Sequence, residues 1–163
     1  MEIYVNTEEL FLKNEYGGVT VYESYTSQSL PTKEYRELLG SALCVFSSNN
    51  GFIIENITKT NDLFDWYELI DKESGSLRKA ISETISNKCG NTEIADLFFE
   101  VVNMRNRIIH GFRITSNSGE QVLATKTRKK DGNIQFEITN EYLMDFIKKN
   151  EKLSNLLHQY RGY

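Results

Sequence analysis

The chain has 163 residues, of which 39% are apolar, 12% aromatic and 26% charged, with a single proline. That is one domain, or one domain with trimmings, able to bury a core without disulfide or metal, and it excludes disordered, collagen-like and coiled-coil classes. A formal charge of −4 and a pI near 5.3 mean that any site for a polyanion must be local.

In chain order, the first thirty residues read as β. Ile3-Tyr4-Val5 and Val19-Thr20-Val21-Tyr22 carry β-branched and aromatic residues, and Gly17-Gly18 precedes the second run as a hairpin turn. Ser27 to Thr32 is the exit loop, with Pro31 keeping the residue before it extended. From Lys33 the period turns helical through Tyr35, Leu38, Leu39, Ala42, Val45, Phe46, Ile53 and Ile57. Asn49-Asn50-Gly51 interrupts that pattern, so one long helix or two broken helices fit. A shorter helix is expected over Asp62–Ile70 with Leu63, Trp66, Tyr67 and Ile70 inward, and Ser74-Gly75-Ser76 breaks it. Leu77, Ile81 and Ile85 begin another, and Cys89-Gly90-Asn91 punctuates again, with Asn91 or Thr92 as N-cap and Glu93 in the first turn.

The clearest helix follows, with Ile94, Leu97, Phe98, Val101, Ile108 and Phe112 as one stripe. Asp131-Gly132 then predicts a tight hairpin between Gln121–Lys130 and Asn133–Thr139. That register puts Lys126, Arg128 and Lys130 on one face, with Lys126 opposite Glu137, and turns Ile134, Phe136 and Ile138 to a core. A last helix runs from Asn140 to about Tyr160, with Leu143, Phe146, Ile147, Leu153, Leu157 and Tyr160 inward. The expected fold is mainly α: a β segment over 1–32, then a helical bundle over 33–163 with a hairpin inserted at about 120–139.

No apolar run approaches the ~20 residues of a membrane span. The first residues have neither a basic region nor a long apolar segment, so no secretory signal is expected. Cys44 and Cys89 stand without CxxC or zinc spacing, which fits a reducing cytoplasm, where the Asn56-Ile57-Thr58 sequon has no role. P-loop, Rossmann and Gly-x-Ser-x-Gly patterns are absent, as is a carboxylate or His/Cys set at metal-ligand spacing; no cofactor or metal is expected.

One constellation carries chemistry: Arg105-Asn106-Arg107-Ile108-Ile109-His110-Gly111. Arg105 falls within about 20° of the centre of the apolar stripe. A guanidinium there costs several kcal/mol unless paired, so it either meets a carboxylate inside the bundle or faces a polar cleft, including one formed with a second chain. His110 lies roughly 140° further round an ideal helix. The two side chains converge if the helix ends near Ile109, with Gly111 as its C′ residue, or if two helix ends pack in a two-fold dimer.

These residues resemble the HEPN superfamily (the higher eukaryotes and prokaryotes nucleotide-binding domains), whose mark is Arg, a polar residue, and His after four to six intervening positions. The resemblance covers the bundle from about Lys33 to Tyr160. It implies a metal-independent endoribonuclease with Arg105, Asn106 and His110 as catalytic residues, leaving a 2′,3′-cyclic phosphate and working as a homodimer through this helix. Such proteins serve in bacteria as toxins or abortive-infection effectors, so RNA and an antitoxin or sensor protein are the implied partners. The chemistry suits the residues: imidazole moves a proton to or from ribose and leaving oxygens, and guanidinium matches a phosphate in charge and shape. Arg107, Arg113, Lys126, Arg128 and Lys130 are candidate RNA contacts, or else solvated charges at a helix end and on a hairpin edge. His158 reads as a surface or packing residue. The alternative function is a non-catalytic helical module that uses the same pocket to hold a nucleotide or a partner protein.

Overall fold

The computed structural model describes residues 21–162. The chain divides into two units, Met1–Pro31 and Thr32–Tyr163. In the first, Val21–Tyr25 forms a 3-10 helix, so the described end of the expected second strand is helical instead. The strand expected at Ile3–Val5 and its Gly17-Gly18 turn lie outside the described residues.

The second unit opens with α1 (Lys33–Thr60), whose Thr32 side chain accepts a hydrogen bond from the Tyr35 amide. The helix is not broken at Asn49-Asn50-Gly51. Asn49 is buried, and its Nδ2 donates to both the carbonyl (2.8 Å) and Oδ1 (3.1 Å) of Asn150. A polar stretch that reads as an interruption is therefore a satisfied core pair.

Next comes α2 (Trp66–Ile70), capped by Asp65, which accepts from the Glu68 amide. This helix starts later than the expected Asp62, and the phase of its buried face changes with it. Leu69 is the buried residue (2% exposed), whereas Leu63, Trp66, Tyr67 and Ile70, expected inward, are all exposed. A 3-10 turn, Ser74–Leu77, leads into α3 (Arg78–Ile81), a π turn over Ser82–Ser86 and α4 (Asn87–Cys89). The Thr84 hydroxyl, donating to the Ala80 carbonyl at 2.6 Å, accompanies the π turn. Leu77, Ile81 and Ile85 point into the core as the pattern predicts.

Gly90 ends this segment in the left-handed conformation (φ 69°), and α5 (Glu93–Ile109) follows. Ile94, Leu97, Phe98, Val101 and Ile108 are buried on it. Phe112 is not: it begins a strand and is 43% exposed. Strands β1 (Phe112–Thr115), β2 (Gln121–Lys126) and β3 (Gln135–Ile138) form an antiparallel sheet in the order β1-β2-β3. The sequence reading missed β1, which pairs with β2 across a turn closed by Gly119 (φ 87°).

The second hairpin differs from the expected one in register. Positive φ falls on Gly132 (92°) and Asn133 (53°), not on Asp131, and Lys129–Asp131 forms a 3-10 turn. A tight type I′ turn on Asp131-Gly132 needs both of its residues left-handed, so it is excluded here. Thr127 closes the wider loop: its amide donates to the Ile134 carbonyl, while its hydroxyl donates to the Asp131 carbonyl and accepts from the Ile134 amide. Lys126 consequently sits opposite Gln135, and Glu137 opposite Ala124. Lys126 ends the strand while Arg128 and Lys130 belong to the loop, so the three do not share a strand face. Ile134, expected in the core, is 63% exposed, whereas Ile138 is fully buried.

The closing helix α6 (Asn140–Arg161) begins at its Thr139 cap. Its partners along α1 advance in step: Phe46 stacks on Phe146 with ring centroids 6.2 Å apart, Asn49 meets Asn150, and Asn56 accepts from Arg161 Nε at 3.1 Å. The two helices therefore run parallel. Against α5 the order reverses, with Glu100 at Lys149 (3.0 Å) and Glu93 at Lys152 (3.8 Å), so α5 and α6 are antiparallel. Such exposed pairs each contribute about 0–1 kcal/mol, and the buried side chains between the helices carry the packing. The sheet is tied to α1 by Tyr35, whose hydroxyl donates to the Ile138 carbonyl (2.7 Å) and accepts from the Leu123 amide (3.2 Å). Burial holds that phenol above its ordinary pKa, against the Leu123 amide and reinforced by Glu137. No helix among the described residues is long and apolar enough to cross a membrane.

Candidate functional site

The C-terminal end of α5 carries the Arg105–His110 segment, and two clefts meet there. The first, about 630 Å³, is lined by Phe46 and Asn50 of α1, by residues 70–75, and by Arg105, Asn106, Ile109 and His110. The second, about 670 Å³, is lined by Asn103, Asn106, Arg107 and His110 of α5 and by Thr125, Lys126, Thr127, Arg128 and Asp131. Asn106 and His110 line both and form the ridge between them.

Arg105 takes the second of the two expected routes for a cation on an apolar stripe: it faces a polar cleft. Its Nη2 donates to Ser74 Oγ at 3.0 Å, and that buried hydroxyl donates onward to Asn50 Oδ1 at 2.7 Å. The guanidinium carbon lies 4.8 Å from the centre of the Phe46 ring, a cation–π distance. Its Nε is buried without a hydrogen-bond partner. Burial pulls the guanidinium below its ordinary pKa, and the Glu73 carboxylate opposes that shift. A charge so placed is oriented by neutral partners and keeps its ionic capacity for a ligand.

His110 is the C-cap of α5, its amide donating to the Asn106 carbonyl at 3.1 Å. The helix does end at Ile109, and Arg105 and His110 both line the first cleft. The imidazole is exposed, and neither it nor the Asn106 carboxamide makes a hydrogen bond among the described residues. Gly111 serves a different purpose from the expected left-handed C′ residue, since its φ is not positive. A Cβ there would come within 3.0 Å of the Ile108 carbonyl oxygen, 3.2 Å of the Ala124 oxygen and 3.3 Å of the Arg107 oxygen. Glycine lets β2 approach the helix end closely. Gly111→Ala is therefore expected to lower stability by about 1–2 kcal/mol by overpacking. Denaturant unfolding measures this, and an unchanged midpoint would mean that the strand yields freely.

Of the five candidate RNA contacts, the structure gathers three. Arg107, Lys126 and Arg128 line the second cleft; Arg107 Nη1 donates to the Lys126 carbonyl, and Lys126 Nζ donates to Asn133 Oδ1 at 2.8 Å. Arg113, exposed on β1, and Lys130, exposed in the loop, line neither cleft. His158 lies beside Phe52, ring centroids 4.7 Å apart, far along α6. Sequence reasoning missed Phe46, Asn50 and Ser74 as the holders of Arg105. Phe46 reads only as a core position, and Asn50 and Ser74 signal only polarity, at a supposed interruption and at a helix break; none of these points to a distant arginine. No group of three or more His, Cys, Asp or Glu able to hold a metal occurs among the described residues. Comparison with protein-family models, curated proteins and solved structures gives no match for this chain.

Proposed function

We propose that the chain is a metal-independent endoribonuclease of the HEPN kind, cutting RNA to leave a 2′,3′-cyclic phosphate and acting as a toxin or antiviral abortive-infection effector. The observation that carries this reading is that Arg105, Asn106 and His110 line one cleft, with the guanidinium oriented and the imidazole unengaged. In this reading the His110 imidazole takes the 2′-hydroxyl proton and the 2′-oxygen bonds to phosphorus. As the P–O5′ bond breaks, an imidazolium returns a proton to the 5′-oxygen. Arg105 stabilises the added charge on phosphorus, and Asn106 orients the phosphate or the imidazole. Ile109 and Phe112, 46% and 43% exposed on either side of His110, support a two-fold pairing of helix ends, which would place a second such set nearby. We assign the protein to the cytoplasm, where the exposed thiols of Cys44 and Cys89 stay reduced, with an antitoxin or sensor protein as its partner.

The test is RNA cleavage in EDTA with product-end analysis and a solution mass. The expected result is cutting that survives chelation, cyclic-phosphate ends and a dimer. Cutting that requires a divalent ion, or ends of another kind, overturns the mechanism. One observation favours a second reading: Arg105 is already bonded to Ser74 and stacked on Phe46. A non-catalytic module holding a nucleotide or partner protein in the same cleft predicts that nothing is cut, and that His110→Ala binds as the wild type does.

A further inference from the structure

The two clefts beside the Asn106–His110 ridge differ in charge, and the difference assigns them different parts of a nucleic acid. The second is lined by three cations, Arg107, Lys126 and Arg128, against one carboxylate, Asp131. In the first, Asp71 and Glu73 balance Lys72 and Arg105, and Ile70 and Ile109 add apolar surface. A phosphate entering the first cleft meets no net charge, while one entering the second meets an excess of positive charge in an otherwise acidic protein. Two of those cations are tethered: the Arg107 guanidinium by the Lys126 carbonyl, and the Lys126 ammonium by Asn133. Binding a phosphate there costs less side-chain entropy than binding it with free lysines.

We propose that the chain binds single-stranded RNA across this ridge, with the sugar-phosphate backbone in the Arg107–Lys126–Arg128 cleft and one unpaired nucleobase in the Phe46 cleft. This rests on the ribonuclease reading only for the chemistry at His110; the path of the strand follows from the charges. The linkage between the two occupied clefts lies over Asn106 and His110. The base finds apolar surface at Ile70 and Ile109, 36% and 46% exposed, and hydrogen-bond acceptors in the Asp71 and Glu73 carboxylates, which suit the amino and imino donors of a Watson–Crick edge. A paired base cannot offer that edge, so the site selects single strands. The loop after β2 that widens the hairpin is what brings Arg128 to the cleft.

The experiment measures binding of a fluorescent 2′-O-methyl 12-nucleotide RNA, which cannot be cut through its 2′-oxygen, over a range of salt. The wild type is compared with Lys126→Ala/Arg128→Ala and with the control Lys59→Ala/Lys148→Ala. For single strands each neutralised phosphate contributes about −0.7 to the slope of log K against log salt. The cleft variant is expected to bind at least about 10-fold more weakly with a slope shallower by about 1.4, and the control to match the wild type. The same sequence as a duplex is expected to bind at least about 10-fold more weakly than the single strand, since its bases are paired. An unchanged slope in the cleft variant, equal binding of the duplex, or no binding by the wild type overturns the proposal. Loss of the slope change alongside proven cleavage removes the strand path and leaves the nuclease. Binding as expected without any cleavage leaves the strand path and removes the nuclease.

Discussion

Replacing His110 by alanine is expected to reduce RNA cleavage in EDTA by about 10³-fold, the middle of the range for a general acid–base group, without moving the thermal midpoint. The structural side follows from the placement of the ring: it is exposed and bonded to nothing else described, so its removal leaves no cavity and no orphaned partner. Arg105 is a different case. Arg105→Ala is expected to lose cleavage to a similar extent, but it also strips Ser74 Oγ of its donor and uncovers Phe46, so a small loss of stability accompanies it. Arg105→Lys separates the two effects: it keeps the charge and loses the planar fork, and a loss of about 10- to 100-fold is expected. Single-turnover cleavage beside a melting curve for each variant is the measurement. Cleavage by His110→Ala at the wild-type rate would remove the imidazole from the mechanism.

The helices and most of their buried faces were legible because they depend on local periodicity. The stripe from Ile94 to Ile108 and the inward residues Leu143, Phe146, Leu153 and Leu157 follow from spacing alone. The departures have physical causes of two kinds. Short elements have too few residues to fix a phase, so the five-residue α2 turned Trp66 and Tyr67 outward and Leu69 in. The four-residue β1 went unseen for the same reason. The other kind is set by distant partners. Asp131-Gly132 carries a strong local turn signal, yet Thr127 and Asn133 satisfy the backbone of a wider loop instead. At the candidate site, the Arg105–His110 spacing could be read from the sequence. The Ser74–Asn50 relay that orients Arg105 spans loop and helix and has no sequence pattern.

Asn49→Leu is expected to lower stability by about 2–3 kcal/mol, a drop of roughly 10 °C in the melting midpoint of a unit this size. The substitution keeps the branching and number of side-chain heavy atoms but removes the two hydrogen bonds that Asn150 accepts, leaving a buried amide oxygen without a partner. Asn150→Leu is expected to cost less, about 1 kcal/mol, because Asn49 Nδ2 keeps its 2.8 Å bond to the backbone carbonyl of residue 150 and loses only the 3.1 Å bond to Oδ1, together with the donor to the Phe146 carbonyl. The double variant leaves no side-chain amide oxygen without a donor, so it should cost clearly less than the sum of the two, as removing both ends of a buried side-chain hydrogen bond does. This pair also bears on the site. It fixes the register between the parallel helices α1 and α6, and its neighbours on α1, Phe46 and Asn50, are the residues that hold Arg105 and Ser74. Two leucines there would tolerate sliding and rotation that the paired amides forbid. The expected outcome is a double variant that recovers most of its stability but cuts RNA more slowly than the wild type. Full recovery of both would mean that hydrophobic packing alone sets the register, and that the asparagines only satisfy each other.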